Sequence, residues 1–248
     1  GRWSRVAAPI FLSWLEPAKG LSWVDVGCGT GPLSETILRQ FAPSHLVGVD
    51  LAAPLIATAQ DSLGGATAEF QVGDALQLPL PGGGRDLAVS GLLLNFLPDP
   101  AKGVEEMRRV IRPGGVVAGY IWDYTEGQLT RHFWDVANSL ETSDSEVDMA
   151  KRFPLCQPGP LAQLLESAGL ERAGVQDFRF DAVFSDFKDY YEPFLGGQGP
   201  PGVFLTGLSE EQREIFQERL QGALPTQPDG RIIVSARIWA FRGAVPRP

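Results

Sequence analysis

The sequence predicts an α/β protein built on a doubly wound, mostly parallel β-sheet that carries helices on both faces. Through the first half of the chain, short apolar strands alternate with amphipathic helical segments. The apolar residues within these strands are nearly continuous, which is typical of parallel strands covered on both sides. In the second half, two segments alternate between apolar and polar residues, which predicts two further strands.

The predicted elements of the first half follow one another in regular order. The first strand ends at a glycine-rich turn, and a helix begins directly after it. Later, Arg112–Gly115 predicts a turn, because proline fixes φ and glycine permits positive φ. The predicted strands cover residues 21–26, 45–50, 69–72, 86–90 and 116–122, and the predicted helices cover residues 33–41, 54–63 and 101–111.

The pattern changes after Asp123. Residues 123–153 are insertion-like, and a helix is predicted over 159–168, where Leu161, Leu164 and Leu165 have helical spacing and Gly169 is a suitable stop. A later helix is expected to open with a capping box at Ser209–Gln212. The remaining predictions are strands over 173–184 and 231–242, a glycine- and proline-rich stretch at 196–202, and the helix at 209–220.

Composition excludes several classes of protein. Asp and Glu (30) outnumber Lys and Arg (21), and the formal charge of −9 disfavours a nucleic-acid partner. No run reaches the roughly 18 apolar residues that span a bilayer, and Gly1–Arg5 lacks the apolar core of a signal peptide. Cys28 and Cys156 show neither a metal spacing nor a disulfide framework. We therefore expect a cytoplasmic protein without a bound metal; no pattern indicates its oligomeric state.

The glycine-rich turn is the first motif that indicates chemistry. In Val24–Gly31 a strand runs into the sequence Gly27-Cys28-Gly29-Thr30-Gly31, and a helix follows. Glycines allow a ligand to approach the backbone, and the start of a helix favours an anionic group. A dinucleotide fingerprint would need a third glycine where this chain has Pro32. The turn by itself is compatible with a pyrophosphate or a carboxylate.

Acidic residues follow the next two strands. Asp50 ends the second strand 19 positions after Gly31, where a carboxylate can accept hydrogen bonds from ribose hydroxyls. Asp74 follows the third strand in Gly73-Asp74-Ala75, where a carboxylate can meet the exocyclic amine of adenine. A simple turn-forming role is the alternative for Asp74.

These segments together resemble the class I S-adenosylmethionine-dependent methyltransferases, and most closely the bacterial small-molecule group called methyltransferase type 11. The resemblance covers roughly residues 20–122. It implies a Rossmann-like sheet of seven strands, mostly parallel, with the last strand antiparallel. The segments that carry it are Val24–Gly31, Val49-Asp50, Gly73–Ala75, Asp86–Asn95 and Leu97–Gly115.

The resemblance also implies a division of labour within the site. The glycine turn would hold the amino-acid end of S-adenosylmethionine, with Asp25 near its ammonium group. Asp50 would bind the ribose, and Leu51 would pack on the adenine. Arg5 could pair with the cofactor carboxylate, or belong to a solvated terminus. The expected cofactor-binding residues are Arg5, Asp25, Gly27, Cys28, Gly29, Gly31, Asp50, Leu51, Asp74, Ala75, Ser90, Gly91 and Asn95.

The residues that would carry catalysis are less evident. Many members of the group have a histidine after the fourth strand, where this chain has Leu94-Asn95-Phe96. The candidates for a proton acceptor or substrate contact are His132, Asp123, Tyr124 and Asn95. Packing or capping is the alternative for Asp123 and Tyr124.

We expect one domain over residues 1–248, with a cofactor-binding core at 1–122 and insertions at 123–153 and 185–228 that cover the substrate. The expected reaction moves a methyl group in line to a small-molecule acceptor and leaves S-adenosylhomocysteine. A base is needed only where the acceptor must lose a proton. The alternatives are a nicotinamide-dependent oxidoreductase, which Pro32 and Gly73–Ala75 disfavour, and a non-catalytic module that binds S-adenosylmethionine.

Overall fold

The computed structural model describes residues 2–140, 153–196 and 199–248. The helices are α1 (Ser4–Leu15), α2 (Pro32–Phe41), α3 (Ala53–Leu63), α4 (Pro100–Val110), α5 (Gln128–Ser139), α6 (Pro158–Ser167), α7 (Phe187–Tyr191), α8 (Gly199–Gly207) and α9 (Glu210–Ala223). The strands are β1 (Ser22–Val26), β2 (His45–Asp50), β3 (Ala68–Val72), β4 (Arg85–Gly91), β5 (Ile111–Trp122), β6 (Glu171–Phe184) and β7 (Ile232–Ala244).

The strands form one seven-stranded sheet in the order β3-β2-β1-β4-β5-β7-β6. The pairs among the first five strands are parallel, whereas β5 pairs with β7 antiparallel. The predicted fold class is confirmed. Because β1 lies between β2 and β4, the chain reverses its direction of winding there, and ligands bind α/β sheets outside the carboxyl ends of strands at such a point.

Alternate residues of the central strands face opposite helical layers. Val24, Ala88 and Val117 are neighbours across three strands and belong to the core that α4 and α6 cover. On the other face, the Phe11 ring of α1 packs against the Tyr120 ring with their centroids 5.2 Å apart. The two-sided burial explains why these strands show an apolar run instead of alternation.

The start of β5 differs from the prediction. We expected Ile111 to end a helix and residues 112–115 to form a turn before the strand, but Ile111 already pairs with Arg85. The next pair joins Leu87 to Val116, so the intervening residues bulge out of the ladder. Gly114 allows this excursion because its φ is +77°. The sequence correctly placed a turn at residues 112–115, but it did not predict that Ile111, before this turn, pairs with Arg85 of β4.

Other boundaries also changed. Arg5, expected before the first helix, lies inside α1. Helices α5, α7 and α8 were not predicted, and no range was predicted for α1. Helices α5 and α8 lie in an insertion and in a stretch rich in glycine and proline that were assigned no helix. The capping box at Ser209 and Gln212 is confirmed. The rest of the predicted insertion at 123–153, namely residues 141–152, lies outside the described residues.

The chain separates into two compact units. The first comprises residues 1–122, 155–178 and 238–248, and the second comprises 123–154 and 179–237. The second unit has its own aromatic cluster, in which Phe133 packs against Trp134, Phe204 and Phe216. No helix in the described ranges is long and apolar enough to cross a membrane. The substrate-covering role of the two insertions remains a prediction.

Candidate cofactor site at the carboxyl ends of the strands

The glycine turn leaves β1 and bends back onto β2. The amide groups of Gly27 and Cys28 both donate to the Val49 carbonyl, at 2.7 and 3.1 Å. Gly31 then donates to the Cys28 carbonyl at 2.9 Å and precedes α2. The turn is therefore held rigidly against the end of the neighbouring strand before any ligand arrives.

The structure explains why glycine occupies three positions of the turn. Gly27, Gly29 and Gly31 all have positive φ, at +70°, +56° and +84°, which other residues adopt at a cost. A Cβ atom on Gly27 would lie 2.7 Å from the Leu93 side chain, and one on Gly31 would lie 2.5 Å from Leu63. A Cβ atom on Gly29 would meet no atom within 4 Å. Gly29 is thus the member of the turn that borders open space.

Asp50 joins the first two loops of the site. Its Oδ2 accepts from the Gly29 amide and its Oδ1 accepts from the Ala52 amide, both at 2.9 Å. The carboxylate is half-buried, and each oxygen retains a further lone pair for a ligand hydroxyl. Asp50 therefore shapes the glycine turn in addition to the ribose-binding role that was predicted for it.

A pocket of about 310 Å³ opens beside these loops. Five of the predicted cofactor residues line it, namely Gly27, Asp50, Leu51, Asp74 and Ala75. Leu51 is 73% exposed and presents an apolar side chain to this pocket. Asp74 accepts the Leu76 amide through Oδ1 at 2.8 Å, so it forms the turn considered as its alternative role. Its Oδ2 remains available to a ligand.

Sequence reasoning missed the other side of this pocket. Phe96 is 53% exposed there, and its position after β4 was the only signal that could have identified it. Gly73 is required because a Cβ atom would lie 2.7 Å from Pro79. The lining residues that were not predicted are Val49, Gly73, Leu76, Leu93, Phe96, Leu97 and Pro98.

Asp25 lies within the protein beneath the glycine turn. Its side chain is fully buried, and its Oδ2 accepts the Ser34 hydroxyl at 2.6 Å. Oδ1 has no hydrogen-bond partner among the described residues. Burial raises the pKa of Asp25 to about 7, although hydrogen bonds from Ser34 oppose the increase. This carboxyl group changes its charge easily near neutral pH.

Cys28 contributes packing. Its thiol is buried, and a Cβ atom on Gly48 would lie 3.0 Å from its sulfur atom. Burial, with the charges of Asp25 and Asp50, raises the pKa of the Cys28 thiol far above its ordinary value. The thiol is therefore unreactive. The Cys28 amide already donates to the Val49 carbonyl, and its thiol is buried. The predicted contact between Cys28 and the cofactor remains a prediction.

Ser90 and Gly91, at the end of β4, face opposite sides of the sheet. A Cβ atom on Gly119 would lie 2.8 Å from Ser90 Oγ and 2.5 Å from the Phe241 ring, so Ser90 points into the core. A Cβ atom on Gly91 would lie 2.8 Å from the Tyr120 hydroxyl. Neither residue is among those that line the pocket, and their contacts with a cofactor remain predictions.

A small polar cluster forms after β4 and β5. Asn95 Nδ2 donates to the Trp122 carbonyl at 3.3 Å and lies 3.6 Å from the Cys156 sulfur atom. Cys156 also donates to the Trp122 carbonyl, at 3.1 Å. Because the Asn95 amide nitrogen must face the carbonyl, its oxygen points the other way, where it is buried without a hydrogen-bond partner in the described ranges. Cys156 was not expected at the site.

Arg5 has a partner within the first unit. Its Nε lies 3.2 Å from Glu35 Oε2, and the side chain is 59% exposed. Exposed ion pairs of this kind contribute little to stability. Because this contact uses only Nε, the terminal guanidinium N–H groups can still donate elsewhere, and the contact of Arg5 with a cofactor carboxylate remains a prediction.

The other catalytic candidates belong to the second unit. Asp123 accepts three hydrogen bonds at Oδ1 from Thr125 and Glu126, and its Oδ2 lies 3.2 Å from Arg237. Tyr124 packs on Phe153 with a ring separation of 4.4 Å. These contacts correspond to the capping and packing alternatives for both residues.

His132 is different, because its ring nitrogen Nε2 is buried without a hydrogen-bond partner in the described part of the chain. Burial lowers the pKa of His132 below its ordinary value, which favours the neutral imidazole. A neutral imidazole can accept a proton. Its catalytic role remains a prediction, as do those of Asp123, Tyr124 and Asn95.

Comparison with known proteins identifies the segment that contains this geometry. Residues 24–119 match the model of the family described as "Methyltransferase domain". These residues are similar to a methyltransferase domain, in agreement with the predicted resemblance. The matched segment begins in β1, ends in β5 and includes the glycine turn, Asp50 and Asp74. This similarity favours the methyl-transfer hypothesis over the nicotinamide alternative.

Two curated relatives are similar in sequence to this chain. Demethylmenaquinone methyltransferase of Desulfitobacterium hafniense is 37% identical over 108 residues, which cover 42% of this chain and 43% of the relative. Chloroplastic tocopherol O-methyltransferase of Arabidopsis thaliana is 38% identical over 197 residues, 75% of this chain and 50% of the relative. The chain spans half or less of these relatives' length.

The fold also matches solved structures. One is a crystal structure from Bacillus halodurans whose description proposes a methyltransferase; it has a TM-score of 0.61 and 18% identity over 95% of this chain and 97% of that one. At this identity, the similarity concerns the fold alone.

Proposed function

We propose that this protein transfers a methyl group from S-adenosylmethionine to a small aromatic molecule that carries a hydroxyl group. The observation that carries the proposal is the pocket at the carboxyl ends of β1 to β4, which combines the first glycine of the turn with Asp50, Asp74 and the exposed Leu51. A cofactor with a charged amino-acid end, a ribose and a flat base needs polar groups at one end of its pocket and apolar side chains at the other.

The residues present fit such a cofactor. Gly29 borders open space, so the backbone can approach the amino-acid end, and the unpartnered oxygen of Asp25 suits an ammonium group. Asp50 has lone pairs for the ribose hydroxyls, and Asp74 Oδ2 can accept from the adenine amine. Leu51 offers an exposed apolar side chain to the base. When bound, the sulfonium supplies an electrophilic methyl group.

The remaining requirement is the position and protonation of the acceptor. Since a sulfonium methyl group is already reactive, the protein contributes mainly alignment and exclusion of water. The buried oxygen of Asn95 can accept a hydrogen bond from an acceptor hydroxyl and so orient it. Within the second unit, His132 remains a candidate proton acceptor, because burial lowers its pKa and favours the neutral imidazole.

Two observations support an aromatic acceptor. Leu93, Phe96, Leu97 and Pro98 form an apolar side of the pocket. The relatives named above are a demethylmenaquinone methyltransferase and a tocopherol O-methyltransferase. We infer a phenol or hydroquinone acceptor for this chain. The acidic composition, with a net charge of −9, disfavours RNA as an alternative.

A label-transfer assay tests the proposal. The protein is incubated with S-adenosylmethionine labelled in its methyl group and with separate pools of 1,4-naphthohydroquinone, γ-tocopherol, lysate protein and RNA. We expect label in the phenolic pools only. Label confined to protein or RNA would exclude a small-molecule acceptor. Binding of S-adenosylhomocysteine without transfer to any pool would favour the non-catalytic module.

A thermal-shift comparison tests the cofactor class separately, because a ligand stabilises the folded state that binds it. S-adenosylhomocysteine should raise the melting temperature, and NAD(H) should not. The reverse result would restore the nicotinamide hypothesis.

A further inference from the structure

Tyr120 is a buried tyrosine whose hydroxyl has no role in the site as described so far. It lies on β5 with no exposed surface, and its hydroxyl oxygen has no hydrogen-bond partner among the described residues. A buried polar group without a partner is destabilising, and few such groups persist in folded proteins. The hydroxyl therefore needs an explanation.

The hydroxyl lies beside the carboxyl end of β4. A Cβ atom on Gly91 would lie 2.8 Å from it, so this glycine makes the room that the hydroxyl occupies. Tyr120 pairs with Gly91 in the sheet, and Asp25 pairs with Val89. Two residues further along the parallel strands β1 and β4, the same register places Gly27 level with Gly91. The Tyr120 hydroxyl therefore lies near the first glycine of the turn.

Asp25 lies on the same face of the sheet. Its own Oδ1 has no hydrogen-bond partner among the residues that the structure describes. The titratable groups that interact with Asp25 are Asp50, Cys28 and Tyr120, and Ser34 supplies hydrogen bonds; none of these is a cation. The structure thus places a hydroxyl donor and a carboxylate acceptor on one face of the sheet beneath the glycine turn, and neither atom has a hydrogen-bond partner in the described ranges.

We propose that Tyr120 is a further cofactor-binding residue, whose hydroxyl donates to the carboxylate of the cofactor's amino-acid end while Asp25 accepts from its ammonium group. The amino-acid end carries both a carboxylate and an ammonium group, so it needs both a donor and an acceptor, whereas Asp25 alone would bind only the ammonium group. Burial and the charge of Asp25 raise the pKa of Tyr120 far above its ordinary value, so the phenol keeps its proton and remains a donor. The inference rests on the proposed function, because it assumes that S-adenosylmethionine occupies this site.

A purely structural role is the competing explanation. A small rotation of either side chain would let Tyr120 donate directly to Asp25, and the pair would then only support the turn. Loss of such support would weaken binding of every ligand that needs the turn or Asp50. Loss of a direct contact would weaken only ligands that possess the amino-acid end.

The test compares S-adenosylhomocysteine with 5′-methylthioadenosine, which shares the adenosine but lacks the amino-acid end. Both are titrated calorimetrically into the wild type, Tyr120→Phe and Tyr190→Phe. Tyr190 is a matched control, because it is also a buried tyrosine and its hydroxyl donates to the Leu129 carbonyl at 3.0 Å in the second unit. We expect Tyr120→Phe to bind S-adenosylhomocysteine about tenfold more weakly and 5′-methylthioadenosine unchanged. Tyr190→Phe should bind both like the wild type.

Two results would overturn the inference while leaving the proposed function intact. One is unchanged affinity of Tyr120→Phe for S-adenosylhomocysteine, and the other is an equal loss for both ligands. Failure of the wild type to bind S-adenosylhomocysteine would refute the proposed function as well.

A second measurement uses the wild-type chain and does not depend on the folding of Tyr120→Phe. The four tyrosines are replaced by 3-fluorotyrosine, and their fluorine resonances are assigned with phenylalanine variants of the other three. S-adenosylhomocysteine should shift the Tyr120 resonance, and 5′-methylthioadenosine should not. A resonance that responds to neither ligand, or equally to both, contradicts a direct contact.

Discussion

Two regions of the first unit are built differently. The donor region comprises the loops after β1, β2 and β3, namely residues 27–31, 50–52 and 73–76. The second region comprises the segment after β4, residues 91–98, with Trp122 and Cys156. In the donor region, main-chain amides and short acidic side chains bond to one another across adjacent loops. In the second region, side chains far apart in the sequence meet at one carbonyl.

The difference teaches where specificity can vary. The donor region depends on backbone geometry, so it tolerates few residue types and produces a recognisable motif. The second region depends on side chains that different sequences can replace. A binding site for a common cofactor and a site for a variable acceptor would be expected to divide in this way.

The largest expected effect tests the electrostatics of the donor region through Asp25. Its pKa rises from 3.8 in the unfolded chain to about 7 in the folded protein, so the folded state holds an extra proton between these values. Stability should therefore fall as the pH rises from about 4 to about 7, by up to about 4 kcal/mol from this group. In Asp25→Asn this contribution disappears.

Urea denaturation at several pH values, with the wild type and Asp25→Asn compared at each, isolates the Asp25 contribution from other titrating groups. A difference in the free energy of unfolding that does not depend on pH would show that Asp25 is already ionised in the folded protein. The donor region would then contain a fixed charge instead of a titrating one.

A substitution at Gly29 tests whether the turn is the cofactor cradle. In Gly29→Val, a branched side chain would enter the open space above the turn, at a position whose φ is +56°. We expect affinity for S-adenosylhomocysteine to fall about a hundredfold or more, measured by calorimetry. Gly83→Val is a matched control, because Gly83 has φ +70° and equally open surroundings. Comparable losses of affinity in both variants would point to strain in the fold as the cause.

Asp50→Ala removes the carboxylate that ties the glycine turn to the second loop. Cofactor affinity should fall by about 1–3 kcal/mol, because charge-assisted hydrogen bonds to the ribose are lost. The melting temperature should fall too, since the Gly29 and Ala52 amides lose their acceptor. Asp61→Ala, an exposed acid on α3, is the control and should change neither quantity. Unchanged calorimetric affinity in Asp50→Ala would remove Asp50 from the site.

Asn95→Ala should have the smallest effect on the cofactor and thereby sharpen the division between the regions. Loss of its hydrogen bond to Trp122 should cost about 1 kcal/mol of stability. Affinity for S-adenosylhomocysteine should stay within about twofold, while methyl transfer to 1,4-naphthohydroquinone should slow. Gln217→Ala, an exposed amide on α9, controls for stability and rate. A loss of cofactor affinity as large as that of Asp50→Ala would place Asn95 in the donor region.

The donor region could be predicted because its signals are local. Three glycines within five residues, Gly27, Gly29 and Gly31, indicate a turn with positive φ angles. Asp50 ends an apolar strand 19 positions after Gly31. The pocket wall could not be predicted in the same way. Leu93, Leu97 and Pro98 are ordinary apolar residues, and only the position of the loop after β4 gives them a common function.

Sequence by itself determined the alternation of strands and helices, the glycine turn and the acids that follow β2 and β3, because these depend on backbone conformation and on periodic burial along a short stretch of chain. Tertiary structure alone decided that Cys156 meets Asn95 across 61 positions, that Asp123 pairs with Arg237, and that the Tyr120 hydroxyl lies beside Gly91. Such contacts depend on strand register and on the order of strands in the sheet, which bring together atoms that no local pattern connects.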